Sequence, residues 1–399
     1  MSLNKTPSSD RVHIGIFGRR NAGKSSIINA ITNQSLAIVS DLKGTTTDPV
    51  YKSMEILPLG PVVIIDTPGI DDTGELGQLR VKKAVQVLNK TDIAVLVIDC
   101  TVGISETEKE LIERFKSKEI PYIIVMNKSD LLKTEKDENY IYVSAKSGDG
   151  INQLKEIISK KIPENADKYP IIRDLIEPFD FVILVIPIDS AAPKGRLILP
   201  QQQTIRDILD GDAVSVIIKE YELKKTIESL GKKPKMIVCD SQVFGRVAKD
   251  TPDDVLLTSF SILFARHKGN LEELVKGAAV IDKLNDGDSI LISEGCTHHR
   301  QCDDIGTYKI PKWLSEYTGK KFVIETSSGT EFPEDLSKYK LIIHCGGCML
   351  NEKEMKYRIR YAEEQGIPIV NYGIFIAYVH GILKRSLMPF PEILKILEC

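Results

Sequence analysis

Short apolar runs, each followed by a stretch whose apolar positions recur with helical spacing, run along almost the whole chain. In its first part they are Val12 to Phe17, Val62 to Ile65, Ile93 to Ile98, Tyr122 to Met126 and Tyr140 to Val143. Strand-length runs alternating with helices predict a doubly wound, mostly parallel sheet. The rhythm breaks at a lysine-rich helix ending near Pro163, and Asn165 to Pro170 reads as an exposed boundary. Beyond it, Phe181 to Pro187, Val214 to Ile218 and Lys235 to Cys239 are strand-like, with helical stretches near Gln201 to Leu209 and Leu223 to Leu230. From about residue 261 the pattern changes again. Ser289 to Ser293, Phe322 to Thr326, Leu341 to Ile343 and Ile367 to Val370 are strand candidates there, and Ile310 to Tyr317 is helical. The reading is an α/β protein of three domains, over 1–165, 171–260 and 261–399.

A chain of 399 residues exceeds what one compact core organises, which agrees with that division. Its 53 basic and 56 acidic residues leave a net charge of −3, so no general attraction to nucleic acid or an anionic membrane is expected. No apolar run, Phe181 to Pro187 included, approaches the ~20 residues that span a bilayer. The start, MSLNKTPSSD, lacks the apolar segment of a secretory signal. Seven cysteines without regular spacing point to a reducing cytoplasm.

The first run leads straight into Gly18-Arg19-Arg20-Asn21-Ala22-Gly23-Lys24-Ser25, with Ser26 behind it. This is GxxxxGK[ST] in its strand–loop–helix setting. Backbone N–H groups can close around phosphates there, Lys24 can neutralise β and γ oxygens, and the Ser25 hydroxyl can bind Mg²⁺. Val62 to Ile65 delivers Asp66-Thr67-Pro68-Gly69, a carboxylate near the Mg²⁺ and a glycine N–H near the γ-phosphate. Tyr122 to Met126 leads into Asn127-Lys128-Ser129-Asp130. Asp130 can accept both N1–H and the 2-amino group, donors that guanine has and adenine lacks. Ser144-Ala145-Lys146 fits the remaining guanine-contacting loop.

Four motifs in this order and spacing make the domain resemble the small GTPases of the TrmE/Era group. The resemblance implies that Gly44 to Asp48 is the first switch, with Thr46 the second Mg²⁺ ligand, and that Asp71 to about Lys83 is the other switch. Lys24, Thr46 and Gly69 would then be the groups acting on the reacting phosphate. Ile70 stands where many GTPases carry a water-orienting glutamine, so hydrolysis by the chain alone should be slow. Asn21 matches the position that coordinates K⁺ in the TrmE relatives, which implies K⁺-stimulated turnover.

The middle region contains no recognisable catalytic set, and association is its expected role. Asp189, Lys194 and Arg196 read as a solvated loop, and Cys239 as a small buried hydrophobe. The third region holds Cys296-x-His298, then His344-Cys345-x-x-Cys348. Three thiolates and two imidazoles in two short clusters suit zinc or an iron–sulfur centre better than a disulfide staple. Zinc would be satisfied by the three cysteines and one histidine. A cubane on three cysteines would keep one iron for a weak or exchangeable ligand. Both clusters directly follow predicted strands, so a parallel sheet would set them side by side.

Behind a TrmE/Era-like GTPase, this cysteine–histidine pattern resembles the [FeFe]-hydrogenase maturation GTPases, the HydF family, over essentially the whole chain. The resemblance implies a Rossmann-like cluster domain whose Cys296, Cys345 and Cys348 bind a [4Fe-4S] cluster. His298 and His344 become candidates for the fourth position or its surroundings, with His299, Cys302, Asp303 and Asp304 as competitors. It further implies a cytoplasmic, dimeric scaffold or carrier for the di-iron subcluster. The implied partners are the radical-SAM maturases HydE and HydG and the apo-hydrogenase. An RNA- or ribosome-associated GTPase with a structural zinc site is the alternative, and the charge balance speaks against it.

Overall fold

The computed structural model describes residues 7–32, 48–57, 60–70, 75–132, 137–162, 169–188, 197–295, 304–329 and 332–398. The chain divides into two compact units, Met1–Ala166 and Asp167–Cys399.

The first unit is built on a six-stranded sheet. Its strands are β1 (Val12–Phe17), β2 (Val50–Ile56), β3 (Gly60–Asp66), β4 (Ile93–Asp99), β5 (Tyr122–Asn127) and β6 (Ile141–Tyr142), in the order β2-β3-β1-β4-β5-β6. Every neighbouring pair is parallel except β2 with β3. Helices cover both faces, so β4 is buried from Ile93 to Ile98 and reads as an unbroken apolar run. One core holds Ile14, Ile27, Val95 and Leu154, and the opposite one Phe17, Ile65, Leu96 and Phe115. β2 was not legible in the sequence. It is an edge strand of largely alternating exposure, and among the described residues it pairs with β3 alone.

The second unit contains two four-stranded parallel sheets. One is β7 (Phe181–Val185), β8 (Val214–Ile218), β9 (Met236–Cys239) and β10 (Leu256–Ser259), in the order β10-β9-β7-β8. The other is β11 (Ser289–Glu294), β12 (Val323–Ser328), β13 (Leu341–His344) and β14 (Ile369–Asn371), in the order β12-β11-β13-β14. The two sheets share one continuous hydrophobic core. The helix Phe260–Lys268 joins them, since it packs both on Leu199–Asp210, beside the first sheet, and on Glu352–Glu364, beside the second. Phe260, Ile262, Leu263 and Phe264 are buried, so apolar residues occupy more than one face of this helix.

Candidate functional site

At the end of β1 the chain turns at once into the loop 18–23, ahead of the helix Lys24–Thr32. Asn21 is exposed with φ 60°, a left-handed conformation that asparagine tolerates better than most side chains. Gly23 has φ +93°, and a Cβ on it would stand 2.1 Å from Asn127 Nδ2. That crowding comes from a clamp. Asn127 Nδ2 donates to the Ala22 carbonyl at 2.9 Å, and its Oδ1 accepts from the Ala145 amide at 3.1 Å. One side chain at the end of β5 thus fastens the loops after β1 and β6 together.

Lys24 is buried, and its Nζ donates to the Gly18 and Arg19 carbonyls, both at 2.9 Å. Ser25 Oγ donates to Asp66 Oδ2 at 2.9 Å, and Thr67 Oγ1 to the Ile16 carbonyl at 2.6 Å, which aligns the ends of β3 and β1. Burial pushes the Asp66 carboxyl above its ordinary range, and the Ser25 hydroxyl and Lys24 charge pull it back. A buried carboxylate beside a hydroxyl is a donor set suited to a hard divalent cation. Gly69 packs against the backbone of Arg20.

On the base side, Asp130 accepts from Ser144 Oγ at 2.7 Å, and Lys128 Nζ pairs with Asp99 Oδ2 at 2.5 Å. Burial works against ionisation of Asp99, but hydrogen bonds from Lys128 and Thr101 outweigh it and hold the carboxyl below its usual range. Ser26 is half-buried in the helix behind the loop and Lys146 is exposed. The structure thus brings the Asn21–Ser26, Asp66–Gly69, Asn127–Asp130 and Ser144–Lys146 segments to one edge of the sheet, beyond the carboxyl ends of its parallel strands. Thr46 lies outside the described residues.

In the second unit, β11 and β13 pair in parallel with Ser293 opposite His344, so Gly295 and Cys345 leave the sheet side by side. Cys345 Sγ accepts from the Gly295 amide at 3.0 Å and from the Gly347 amide at 3.4 Å. Gly347 has φ +59°, and a Cβ there would meet Met355 Sδ at 2.4 Å, so this glycine makes the turn between the two cysteines. Burial pushes the Cys345 thiol up to about 11, with the two amides working the other way. It also raises Cys348, against the opposing charge of buried Lys268. Neutral buried thiols lose their protons when a cation takes their place.

Among the described residues no group of three or more His, Cys, Asp or Glu side chains is arranged to hold a metal ion. Cys296, His298, His299, Cys302 and Asp303 fall outside those residues. The part that is described fits an iron–sulfur group. Backbone N–H groups aimed at a cysteine sulfur are what stabilises a cluster thiolate.

His344 has a different environment from that of a ligand. Its Nδ1 contacts the Cys345 carbonyl at 2.7 Å and its Nε2 contacts Arg358 Nη1 at 3.0 Å. A carbonyl can only accept and a guanidinium can only donate, so the ring is the neutral Nδ1–H tautomer. Burial, helped by the Arg358 charge, lowers its pKa to about 3. Both nitrogens are engaged, so of the two roles expected for His344 the geometry matches support of the Cys345 backbone. Asp304 accepts from the Thr307 amide at 2.9 Å and hydroxyl at 3.1 Å, capping the turn that follows it.

Sequence reasoning missed Arg358. It is fully buried, donates from Nε to Glu354 at 2.9 Å and from Nη2 to the Gly329 carbonyl at 2.9 Å, and lies over the Phe332 ring. The available signal was a glutamate at i and an arginine at i+4 on the buried face of the helix Glu352–Glu364. Lys268 and Asp99 were missed as well, since each acts through a residue distant in sequence.

Residues 13–128 match a family model described as a 50S ribosome-binding GTPase. The tRNA modification GTPase MnmE of Aquifex aeolicus is 36% identical over 163 residues, 39% of this chain and 36% of that protein. MnmE of Desulforamulus reducens is 34% identical over 160 residues, 37% of this chain and 34% of that protein. The chain thus spans about a third of the length of these curated relatives. Among solved structures, Era in complex with MgGDPNP and a 16S ribosomal RNA fragment is 21% identical, covers 53% of this chain and 94% of its own, and has a TM-score of 0.36. Residues 171–269 match the hydrogen maturase F dimerization domain and 272–389 the hydrogen maturase F tetramerization domain. Following a GTPase domain and together spanning more than half of the sequence, these two models place the chain in the hydrogen maturase F family.

Proposed function

We propose that this chain is a GTP-hydrolysing scaffold or carrier that holds a [4Fe-4S] cluster and assembles or delivers the di-iron subcluster in [FeFe]-hydrogenase maturation. The observation that carries it is the pairing of β11 with β13, which sets the backbone just before Cys296 against the Cys345 sulfur at 3.0 Å. Residues 1–165 are the GTPase domain, 171–260 the association domain and 261–399 the cluster domain of this reading. Cys296, Cys345 and Cys348 would hold the cluster, and His298 or another neighbour would complete or surround the fourth position. When bound, such a group supplies one iron whose outer ligand can exchange. The chain's own part is to exclude water around Cys345 and Cys348 and to direct backbone N–H groups at the sulfur.

In the first unit Lys24 neutralises the β and γ oxygens, Ser25 and Thr46 hold Mg²⁺ with Asp66 near it, and the Gly69 amide meets the γ-phosphate. Asn21, Ala22, Gly23, Ser26, Asn127, Lys128, Asp130, Ser144, Ala145 and Lys146 complete the nucleotide site. Turnover is slow without a water-orienting side chain at Ile70, and K⁺ held by Asn21 raises it. Equal rates in Na⁺ and K⁺ buffers would remove the K⁺ site. Loss of the γ-phosphate changes the switch segments and thereby the affinity for partners. Those partners are the radical-SAM maturases HydE and HydG, the apo-hydrogenase and a second copy of this chain, in the cytoplasm. No described helix is long and apolar enough to cross a membrane. The two hydrogen maturase F matches do not favour an RNA-associated GTPase with a structural zinc site.

Oxygen-free purification followed by iron, sulfide and zinc analysis, with EPR of the reduced protein, tests the central claim. About four irons with matching sulfide per chain are expected. Zinc without sulfide overturns it.

A further inference from the structure

Arg19, the second residue of the phosphate loop, is fixed at both its backbone and its side chain. Its carbonyl accepts from Lys24 Nζ at 2.9 Å. Its guanidinium donates from Nε to Glu108 Oε1 at 2.5 Å and from Nη2 to the Gly103 carbonyl at 2.7 Å. Glu108 is fully buried, and its other oxygen accepts from the Ser105 amide at 2.7 Å and from the Ser105 hydroxyl. These bonds cap the helix Glu106–Ser117 and fix the segment that leads into it from β4. The same segment reaches the base side of the site. It begins at Asp99, which pairs with Lys128 at 2.5 Å, and Cys100 Sγ donates to the Lys128 carbonyl at 3.2 Å. Lys128 holds a left-handed backbone conformation two residues before Asp130.

We propose that Arg19 is a positioning residue that ties the phosphate loop to the guanine-recognition loop through residues 99–108, with Glu108 as its buried anchor. A guanidinium suits this task because its planar fork bonds a carboxylate and a carbonyl at once, which a lysine cannot do in the same geometry. The phosphate end and the base end of the nucleotide are therefore read by one connected piece of backbone. Loosening that piece at Arg19 disturbs the alignment of Asp130, although Arg19 does not contact the base motif. The inference deepens the nucleotide-binding part of the function proposed above and rests on it.

The test compares GDP with IDP, whose base lacks the 2-amino group that Asp130 accepts from. Dissociation constants are measured on the full-length wild type and on Arg19→Gln, Arg19→Lys and Glu108→Gln. In Arg19→Gln, GDP affinity is expected to fall about tenfold and the preference for GDP over IDP to fall severalfold. Arg19→Lys, which keeps the charge beside Glu108, should restore part of both. Glu108→Gln keeps only one of the two acceptor oxygens and sets an NH2 donor against either the Arg19 guanidinium or the Ser105 amide, so it should shift both readouts in the same direction as Arg19→Gln. An unchanged GDP affinity in Arg19→Gln overturns the proposal. So does an equal loss for GDP and IDP, because a purely local or structural role of Arg19 would weaken both alike. A wild type that does not prefer GDP over IDP would refute guanine recognition itself, which separates failure of the underlying reading from failure of this inference.

Discussion

Replacing Arg358 with leucine removes three hydrogen-bond donors from the interior at once, those to Glu354, His344 Nε2 and the Gly329 carbonyl. The two ionic side chains are almost completely buried, at 0% and 4% exposure, so solvent does not screen what is lost. Glu354 already has one oxygen, Oε2, without a hydrogen-bond partner among the described residues. Without Arg358 its whole carboxylate would lack a counter-charge. Breaking a buried pair by removing one partner costs about 3–5 kcal/mol. For a unit of this size each kcal/mol corresponds to about 2–4 °C in Tm, so a fall of about 10 °C is expected. Calorimetry of the full chain would follow the transition of the second unit. The paired variant R358L/E354L should recover most of the loss, because apolar residues replace a buried ion pair at little net cost. If R358L melted within about 2 °C of wild type, or if the paired variant melted as low as the single one, the ionic account would fail.

Gly23→Ala should lower GTP affinity by about a hundredfold or more in calorimetric titration, since its Cβ would fall 2.1 Å from Asn127 Nδ2. Cys345→Ser should lose most of its iron and sulfide under oxygen-free conditions while keeping GTP turnover, and retention of a full complement would remove Cys345 from the ligand set. His344→Gln should keep its iron content, because neither imidazole nitrogen is available to a metal, and loss of the cluster together with a nitrogen hyperfine coupling would contradict that. The Asp99 carboxyl titrates lower in the folded state, so the unfolded chain takes up the proton first as pH falls. Its contribution to stability is complete above about pH 4 and is lost as pH falls through the folded value. Asp99→Asn should therefore flatten the acid limb of the first unit's unfolding profile, and an unaltered limb would show that the Lys128 pair contributes nothing.

What the sequence made legible follows from the range of each signal. β4 and β7 are buried on both faces, so each appears as an apolar run that needs no context to recognise. The loops that follow several parallel strands carry the chemistry, which is why residues spread from Asn21 to Lys146 could be assembled in order without coordinates. β2 escaped because an edge strand with alternating exposure resembles a loop. The sharing of one core by the two sheets of the second unit was also hidden. Nothing in the helix Phe260–Lys268 distinguishes a helix that packs on one sheet from one that packs on two.

The residues whose role is least visible in the sequence are the ones that hold the functional loops in place. Arg19 with Glu108 and Arg358 with Glu354 are unrelated in position, but each is an arginine and a buried glutamate that hold a loop leaving a parallel strand, Arg19 from within its loop and Arg358 from a neighbouring helix. Apolar side chains of similar volume would stabilise these places at least as well, because two charges removed from water recover little more than their desolvation cost. What such a pair adds is direction. Each guanidinium also bonds a backbone carbonyl, Gly103 in one unit and Gly329 in the other, and a fixed fork allows few arrangements of the groups it joins. A phosphate loop must hold its N–H groups ready before the nucleotide arrives, and the cluster proposed for the second unit would ask the same of the Cys345 sulfur. In both units the loops that bear chemistry are the ones held by a bond that favours one geometry over many.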